Sequence, residues 1–444
     1  MTELHPPEAA FGRLPPRGPS PDTAGRVDLA CLASSRAARP GAACKARRRP
    51  CAAGAAAAAW RRLFVVALCG AAAASHAVPL HIALMQRGDD ERLEPARIEL
   101  AYPGHPGGSL QAAAAVAIGE TQFELDAAKL AVKLELVEVR SADEAKARLQ
   151  ALERAGAGAV IVDLPAAWLA AAAPAVKLAL LNAGADDDVL RGASCQANLL
   201  HTLPSHRMAA DALAQTLVAR RWTRVLVLHG PTPQDATYLA TVAAALKRYG
   251  LRTVATRAFK LSADPREREL SNPLLLSGGV EHDVVWVIDG DGEFARGLPY
   301  RTAQPRPVVG DAGLGALAWA PHFERFGAPQ LARRFARQAQ RPMTGSDWAG
   351  WIATKAVLQA ALEAPAGPSA AQIRRALTRA DFVLDGFKGV RLSFRPWDRQ
   401  LRQPLLMSDG QGVVALAPAE GVLHPKNVLD TLGADAPESA CMTK

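Results

Sequence analysis

From Leu80 onward, short runs of Val, Ile, Leu and Ala alternate with longer stretches whose apolar positions recur every three or four residues. The short runs read as strands and the periodic stretches as helices, so the chain is expected to be α/β, with parallel sheets flanked by helices. Strands are expected at 81–85, 133–139, 159–163 and 177–181, with helices at 142–154 and 165–173 between them. After Pro204 and Ser205 the pattern restarts: helix 207–219, strand 224–229, helix 235–249 closed by Gly250, then strands 251–259 and 283–289. The strand runs are continuous rather than alternating, which reads as strands covered on both faces. Residues 78–444 exceed one ordinary core, so two similar lobes are expected. In such sheets ligands bind outside the carboxyl ends of the strands.

Before this pattern lies a different kind of sequence. Arg47, Arg48 and Arg49, then Arg61 and Arg62, precede an apolar stretch from Leu63 to Ala74 and a small-residue exit at Ser75-His76-Ala77. A membrane-spanning helix needs roughly 20 apolar residues, which this stretch does not supply. The order is that of a secretory leader with cleavage near Ala77, which predicts a periplasmic protein. Bulky Leu68 before Cys69 argues against lipidation at that cysteine. The Pro-, Arg- and Ala-rich residues before Arg47 show no periodicity and read as a disordered extension or translated upstream sequence.

The leader changes the meaning of the charge. The whole chain carries +9, but residues 1–77 hold ten arginines and Lys45 against Glu3, Glu8, Asp22 and Asp28, leaving +2 for the rest. A nucleic-acid partner therefore loses its electrostatic basis. Cys31, Cys44, Cys51 and Cys69 leave with the leader, and Cys195 and Cys441 remain. In an oxidising compartment such a pair is expected as a disulfide rather than two free thiols. It would tether the C-terminal tail to the body and, by the chain-entropy argument, stabilise by about 5 kcal/mol. A metal site is not expected, because neither cysteine has a CxxC or HxxxH partner.

The C-terminal third supports a resemblance. A helix is followed by Arg341-Pro342-Met343-Thr344-Gly345 and a long helix with Trp348 and Trp351. Next come Phe382, Gly386-Phe387-Lys388-Gly389, Leu392-Ser393-Phe394, Arg395-Pro396-Trp397-Asp398 and Gln403-Pro404-Leu405-Leu406-Met407. This order resembles the closing segment of type I periplasmic binding proteins of the branched-chain amino-acid family. Asn198 to Ser205, Leu298-Pro299-Tyr300-Arg301-Thr302 and Leu429-Asp430-Thr431-Leu432-Gly433 are similar to a subgroup associated with PQQ-dependent alcohol dehydrogenase systems. The resemblance implies two Rossmann-like lobes with a three-crossing hinge, built from 78–201 with 322–402 and from 202–321 with 403–444. It also implies a receptor that delivers a small molecule to the membrane permease of an ABC importer, acting as a monomer without a cofactor. A sensory or accessory protein on the same fold is the alternative.

In that family, lobe-1 loops with Ser/Thr hydroxyls hold the ligand carboxylate and a lobe-2 acid holds the ammonium. Here the lobe-1 loops read Asp163-Leu164-Pro165 and Asn182-Ala183-Gly184 followed by Asp186, Asp187 and Asp188, and the Ser/Thr pair is missing. Asp163 and Asn182 are the lobe-1 candidates, while the acidic run also reads as a solvated loop and helix cap. In lobe 2 the candidates are Tyr238, Asp289 and Asp291 after a buried strand, and Arg301. Asp235 also reads as a helix cap, and Arg301 as a brace between lobes. Asp289 to Glu293 lacks the ligand series of a calcium loop. Trp348 and Trp351 share a helical face and read as core, and Arg395 to Asp398 as a turn beside a hinge crossing. No GxSxG, Walker A or HExxH occurs, and Gly310 to Gly315 has the wrong spacing for a dinucleotide loop, so no catalytic residue is expected.

Overall fold

A computed structural model of the chain describes residues 77–93, 107–364 and 367–441. The expected leader lies, apart from Ala77, outside the described residues, as do Cys31, Cys44, Cys51 and Cys69. Among the described residues no helix is long and apolar enough to cross a membrane.

The first sheet grows from β1 (Val78–Arg87), followed by helices α1 (Gln111–Glu120) and α2 (Gln122–Ala127), β2 (Leu130–Val139) and α3 (Ala142–Arg154). Next come β3 (Ala159–Asp163), α4 (Ala166–Ala172), β4 (Ala179–Asn182) and β5 (Leu199–His201). All five strands are parallel, in the order β2-β1-β3-β4-β5. Successive side chains leave opposite faces of a strand. Thus Leu80, Ile82 and Leu84 of β1 enter one core while Ala83 and Met85 enter the other, and β1 is apolar without a break from Ile82 to Met85.

The second half repeats the plan with α5 (His206–Ala219), β6 (Arg224–His229), α6 (Pro233–Arg248), β7 (Arg252–Ala258), α7 (Pro273–Ser277), β8 (Val284–Ile288) and β9 (Val308–Gly310). The parallel order is β7-β6-β8-β9. Val225, Val227 and Trp286 pack against α5 and α6, whereas Leu226, Leu228 and Val287 pack against Phe259 and Phe294, which stack at 4.0 Å. Two expected strands depart from continuous burial. Both β2 and β7 are sheet edges, and β7 exposes Arg252, Thr253, Thr256 and Ala258. An edge strand faces solvent along one side, and polar residues are favoured there.

After β10 (Gly315–Leu317) the chain returns to the first core through α8 (Ala328–Ala339), α9 (Gly345–Leu362) and α10 (Ala370–Leu377). Trp348 and Trp351 of α9 are fully buried there. Short strands β11 (Leu384–Asp385), β12 (Arg391–Phe394) and β13 (Leu401–Arg402) follow, then β14 (Leu405–Ser408) and β15 (Val413–Ala417). β14 lies antiparallel between β10 and β15. Its Leu405 and Met407 join the second core and Leu406 joins the first, so one strand seals both.

Three passages thus connect the halves: after β5, after β10, and between β13 and β14. The first and third are bonded side by side. Gln403 Nε2 donates to Thr202 O at 2.8 Å, and Gln400 Nε2 to Leu203 O at 3.1 Å. Buried Arg191 donates Nε to Gln400 Oε1, Nη1 to Ala185 O and Asp187 O, and Nη2 to Leu203 O, all within 3.0 Å. Buried Lys388 donates to Gln403 Oε1 at 2.7 Å and lies 3.5 Å above the Trp348 ring. Burial pushes its amine well below the ordinary lysine value. Replacing Arg191 with Leu removes four hydrogen bonds made by a charged donor at the join and leaves Gln400 Oε1 without its donor. The expected loss is at least about 3 kcal/mol, read as a lower urea midpoint with an unchanged slope.

Candidate functional site

The carboxyl ends of the two sheets hold the candidate residues. Asp163 ends β3, is buried, and accepts from Arg92 Nη2 at 3.0 Å. Arg92 also binds Asp90, and that bond, helped by Asp163 and opposed by burial, raises the guanidinium pKa. Gly184 presses on this acid: a Cβ there would sit 2.1 Å from Asp163 Oδ1. The first sheet therefore brings its own cation to its own carboxylate.

Asn182 ends β4 at full burial, but its side chain turns inward. Its Oδ1 accepts from Gly184 N and Ala185 N, and its Nδ2 meets Ala185 O at 2.6 Å and His201 Nδ1 at 3.0 Å. The amide holds the loop and leaves nothing for a ligand, which corrects the contact expected of it. The acidic run beyond it is partly exposed and also caps a helix, as one reading of it expected. Asp186 O accepts from His206 N, and Asp188 Oδ1 accepts from Arg207 N, so the run caps α5 of the other half. Anionic groups are stabilised at a helix N-terminus.

On the second half, Thr232 is the N-cap of α6, and Asp235 closes its capping box while accepting from Gly290 N at 2.9 Å. Asp289, just past β8, is buried and accepts from Ala295 N at 2.8 Å. Burial raises its pKa; the Ala295 bond opposes this, and Asp235 and Asp291 add to it. Asp291 is exposed on the turn after it. Asp311, just past β9, accepts from Asp289 N at 2.7 Å. The residue is exposed, yet desolvation of its carboxyl by the surrounding protein, with Asp289 close by, pushes it up to about 6. Gly310 before it has φ +105°, and a Cβ would lie 2.2 Å from Val287 O, so the strand ends where only glycine fits.

Tyr238 on α6 stacks on His206 with ring centroids 4.8 Å apart. Burial, then the fields of Asp311, Asp186 and Asp188, hold its phenol un-ionised. His206 Nε2 is 3.3 Å from Asp186 Oδ2. Desolvation disfavours the His206 cation, but the Asp186 contact outweighs it and the pKa rises; Asp186 falls despite its own desolvation. Asp186, His206, Tyr238, Asp311 and Asp289 thus form one neighbourhood fed by both halves.

Arg301 lies elsewhere. The 3-10 segment Ala295–Tyr300 carries the chain back to the edge where β9 begins, and Ala303 N bonds Ser277 Oγ in the helix before β8. Arg301 is exposed at that far end, which corrects its place in the cleft. Sequence reading passed over Asp311, because its loop was tested only for dinucleotide spacing, and over His206, because the helix was started one residue late. The available signal was an acid directly after the Val308-Val309-Gly310 run. Among the described residues no group of three His, Cys, Asp or Glu could hold a metal.

No protein-family model matches the chain, and no curated protein matches it. Solved structures do. A periplasmic binding protein from Burkholderia mallei is 12% identical with a TM-score of 0.58, covering 82% of this chain and 99% of that one. A branched-chain amino-acid ABC transporter ligand-binding protein from Burkholderia xenovorans LB400 is 15% identical with a TM-score of 0.63, over the same shares. An ABC transporter solute-binding protein from Rhodopseudomonas palustris BisB5, solved with 3,4-dihydroxybenzoic acid, is 13% identical with a TM-score of 0.56, covering 74% and 92%. At these identities the likeness is one of fold: the chain has the α/β fold of type I periplasmic binding proteins, with parallel sheets flanked by helices.

The contact between the halves is open to titration. The folded His206 value lies above 6.5 and that of Asp186 below 3.8, so the pair is fully charged between the two. Its contribution fades as pH rises through the His206 value or falls through the Asp186 value. An NMR titration is expected to place His206 above 6.5 in the parent protein and lower in Asp186→Asn. An unchanged value removes the pair.

Proposed function

We propose that this chain is a periplasmic solute-binding receptor of an ABC importer that captures a small polar molecule between two lobes. The lobes are 78–201 with 322–402, and 202–321 with 403–444. The observation that carries the reading is the neighbourhood formed by Asp186 and His206 at the seam with Tyr238, Asp289 and Asp311, at the carboxyl ends of two facing sheets. Folds of this plan close by a hinge, and a ligand favours closure only if it touches both lobes. The fold shared with ABC-transporter binding proteins supports delivery to a membrane permease, and no turnover is proposed.

The electrostatics favour a ligand that presents a cationic or hydrogen-bond-donating group to the second lobe. Asp163 is matched by Arg92, whereas Asp289 helps to raise the pKa of Asp311 and is itself raised by burial, Asp235 and Asp291; His206 supplies the cationic field that offsets Asp311. Asp163 and Asp291 are retained as rim contacts. The subgroup resemblance supports a cargo tied to periplasmic alcohol oxidation, such as a short alcohol or its acid product. The buried hydrogen bonds that Arg191, Gln400 and Gln403 make between the passages equally suit a sensor that signals closure to a protein partner without transport.

The test is a thermal-shift screen of refolded protein against amines, amino acids, short alcohols, aldehydes and carboxylates. A ligand at about 100 times its Kd adds roughly 2.7 kcal/mol of stability. For a cationic ligand, affinity is expected to strengthen between pH 5 and 7 as Asp311 ionises. Asp311→Asn is expected to lose about tenfold or more in affinity, one pKa unit of interaction being about 1.4 kcal/mol, and to flatten that pH profile. Silence across every class removes the solute reading and favours the protein partner.

A further inference from the structure

The C-terminal segment 428–441 touches both halves. On the side of the first sheet, Arg395 donates Nε to Asp430 Oδ1 at 2.9 Å and Nη2 to the carbonyls of Leu429 and Leu432. Arg402 Nε meets the same Asp430 oxygen at 2.8 Å, and Trp397 Nε1 donates to Ala434 O at 3.1 Å. On the side of the second sheet the segment runs along α5. Thr431 meets Gln215 and the Tyr249 hydroxyl, Gly433 N donates to Asp211 Oδ2 at 2.8 Å, and Glu438 pairs with Arg207 and Arg248. Leu432 is fully buried in the second core. The segment then returns to the first half, where Cys441 is joined to Cys195 in the loop before β5.

Between the segment and the passages lies a cavity of about 140 Å³ lined by Asp188, Arg191, Arg207, Arg395, Asp398 and Glu438. The segment is therefore anchored at both sides of an open gap rather than packed solidly across it. A rotation about the three passages changes the distance between its anchors on Arg395 and on Asp211, so it resists that rotation. Without the disulfide such a segment can fray from its end, as chain termini do. With Cys441 fixed it can detach only from the middle.

We propose that residues 428–441 form a disulfide-closed strap that limits how far the two halves swing apart. The inference rests on the two-lobe hinge but on no ligand. It is tested on the full chain without ligand, by small-angle scattering and amide exchange of the parent protein, Cys441→Ser and Glu438→Gln. Cys441→Ser is expected to raise exchange of amides in 434–440 by roughly tenfold or more and to increase the radius of gyration. Glu438→Gln keeps the disulfide and loses only the pairs to Arg207 and Arg248, so a smaller increase in the same direction is expected. Faster exchange with identical scattering in all three proteins overturns the strap and leaves a simple tail staple; unchanged exchange overturns it as well. Because no ligand enters the measurement, failure of the receptor reading leaves this result intact.

Discussion

Arg191 is the group on which the arrangement of the two halves depends. Its guanidinium is buried with no carboxylate in hydrogen-bond contact among the described residues, and its donors end on Ala185 O, Asp187 O, Leu203 O and Gln400 Oε1. Those four acceptors belong to the loop after β4, the first passage and the approach to the third. Burial lowers its pKa, and the fields of Asp188, Asp186, Asp398 and Asp187 oppose that shift. A buried charge is tolerated only when its hydrogen bonds and counter-charge are supplied together. Carbonyls supply the first here and the acidic run supplies the second.

That arrangement explains why one short acidic loop does two jobs. Asp186, Asp187 and Asp188 balance Arg191 from one side and cap α5 from the other, with Asp186 left at the seam to meet His206. The cleft inherits the residue of this balance. On the first sheet, Arg92 answers Asp163; on the second, Asp289 and Asp311 stand close to each other and to Asp235, and Asp311 is pushed up to about 6. The asymmetry follows from where the arginines are spent: Arg191, Arg395 and Arg402 are committed to the hinge and tail.

Much of the fold was legible because core strands and capped helices are local signals. The bounds of β3, α3 and β6 match the apolar runs and the amphipathic period from which they were read. The edges were less legible, since whether a strand is covered on one face or two is decided by neighbours far away in sequence, as β7 demonstrates. The site was legible only in outline. Placing acids after buried strands located Asp163 and Asp289, but whether a side chain turns outward or inward is a tertiary matter, and Asn182 turns inward to satisfy buried amides. Arg301 misled because a loop near a strand end in sequence crosses back to the opposite edge. Lys388 lay within a motif that was noticed, yet its pairing with Gln403 joins residues whose contact no spacing reveals.

The seam also sets how a ligand would have to act. His206 and Asp186 already join the halves, and Thr241 Oγ1 reaches Asp188 at 3.4 Å, so closure has protein contacts of its own. The partly exposed pair is worth little, as surface ion pairs are, and that weakness is what lets an occupant matter. A ligand shifts an equilibrium only by its difference in affinity between the two forms. If the seam held the halves firmly, occupancy would change nothing that a partner could read. A weak seam and hydrogen-bonded passages together leave Asp289 and Asp311, each raised by burial and by a neighbouring acid, as a place where a bound cation would change the balance.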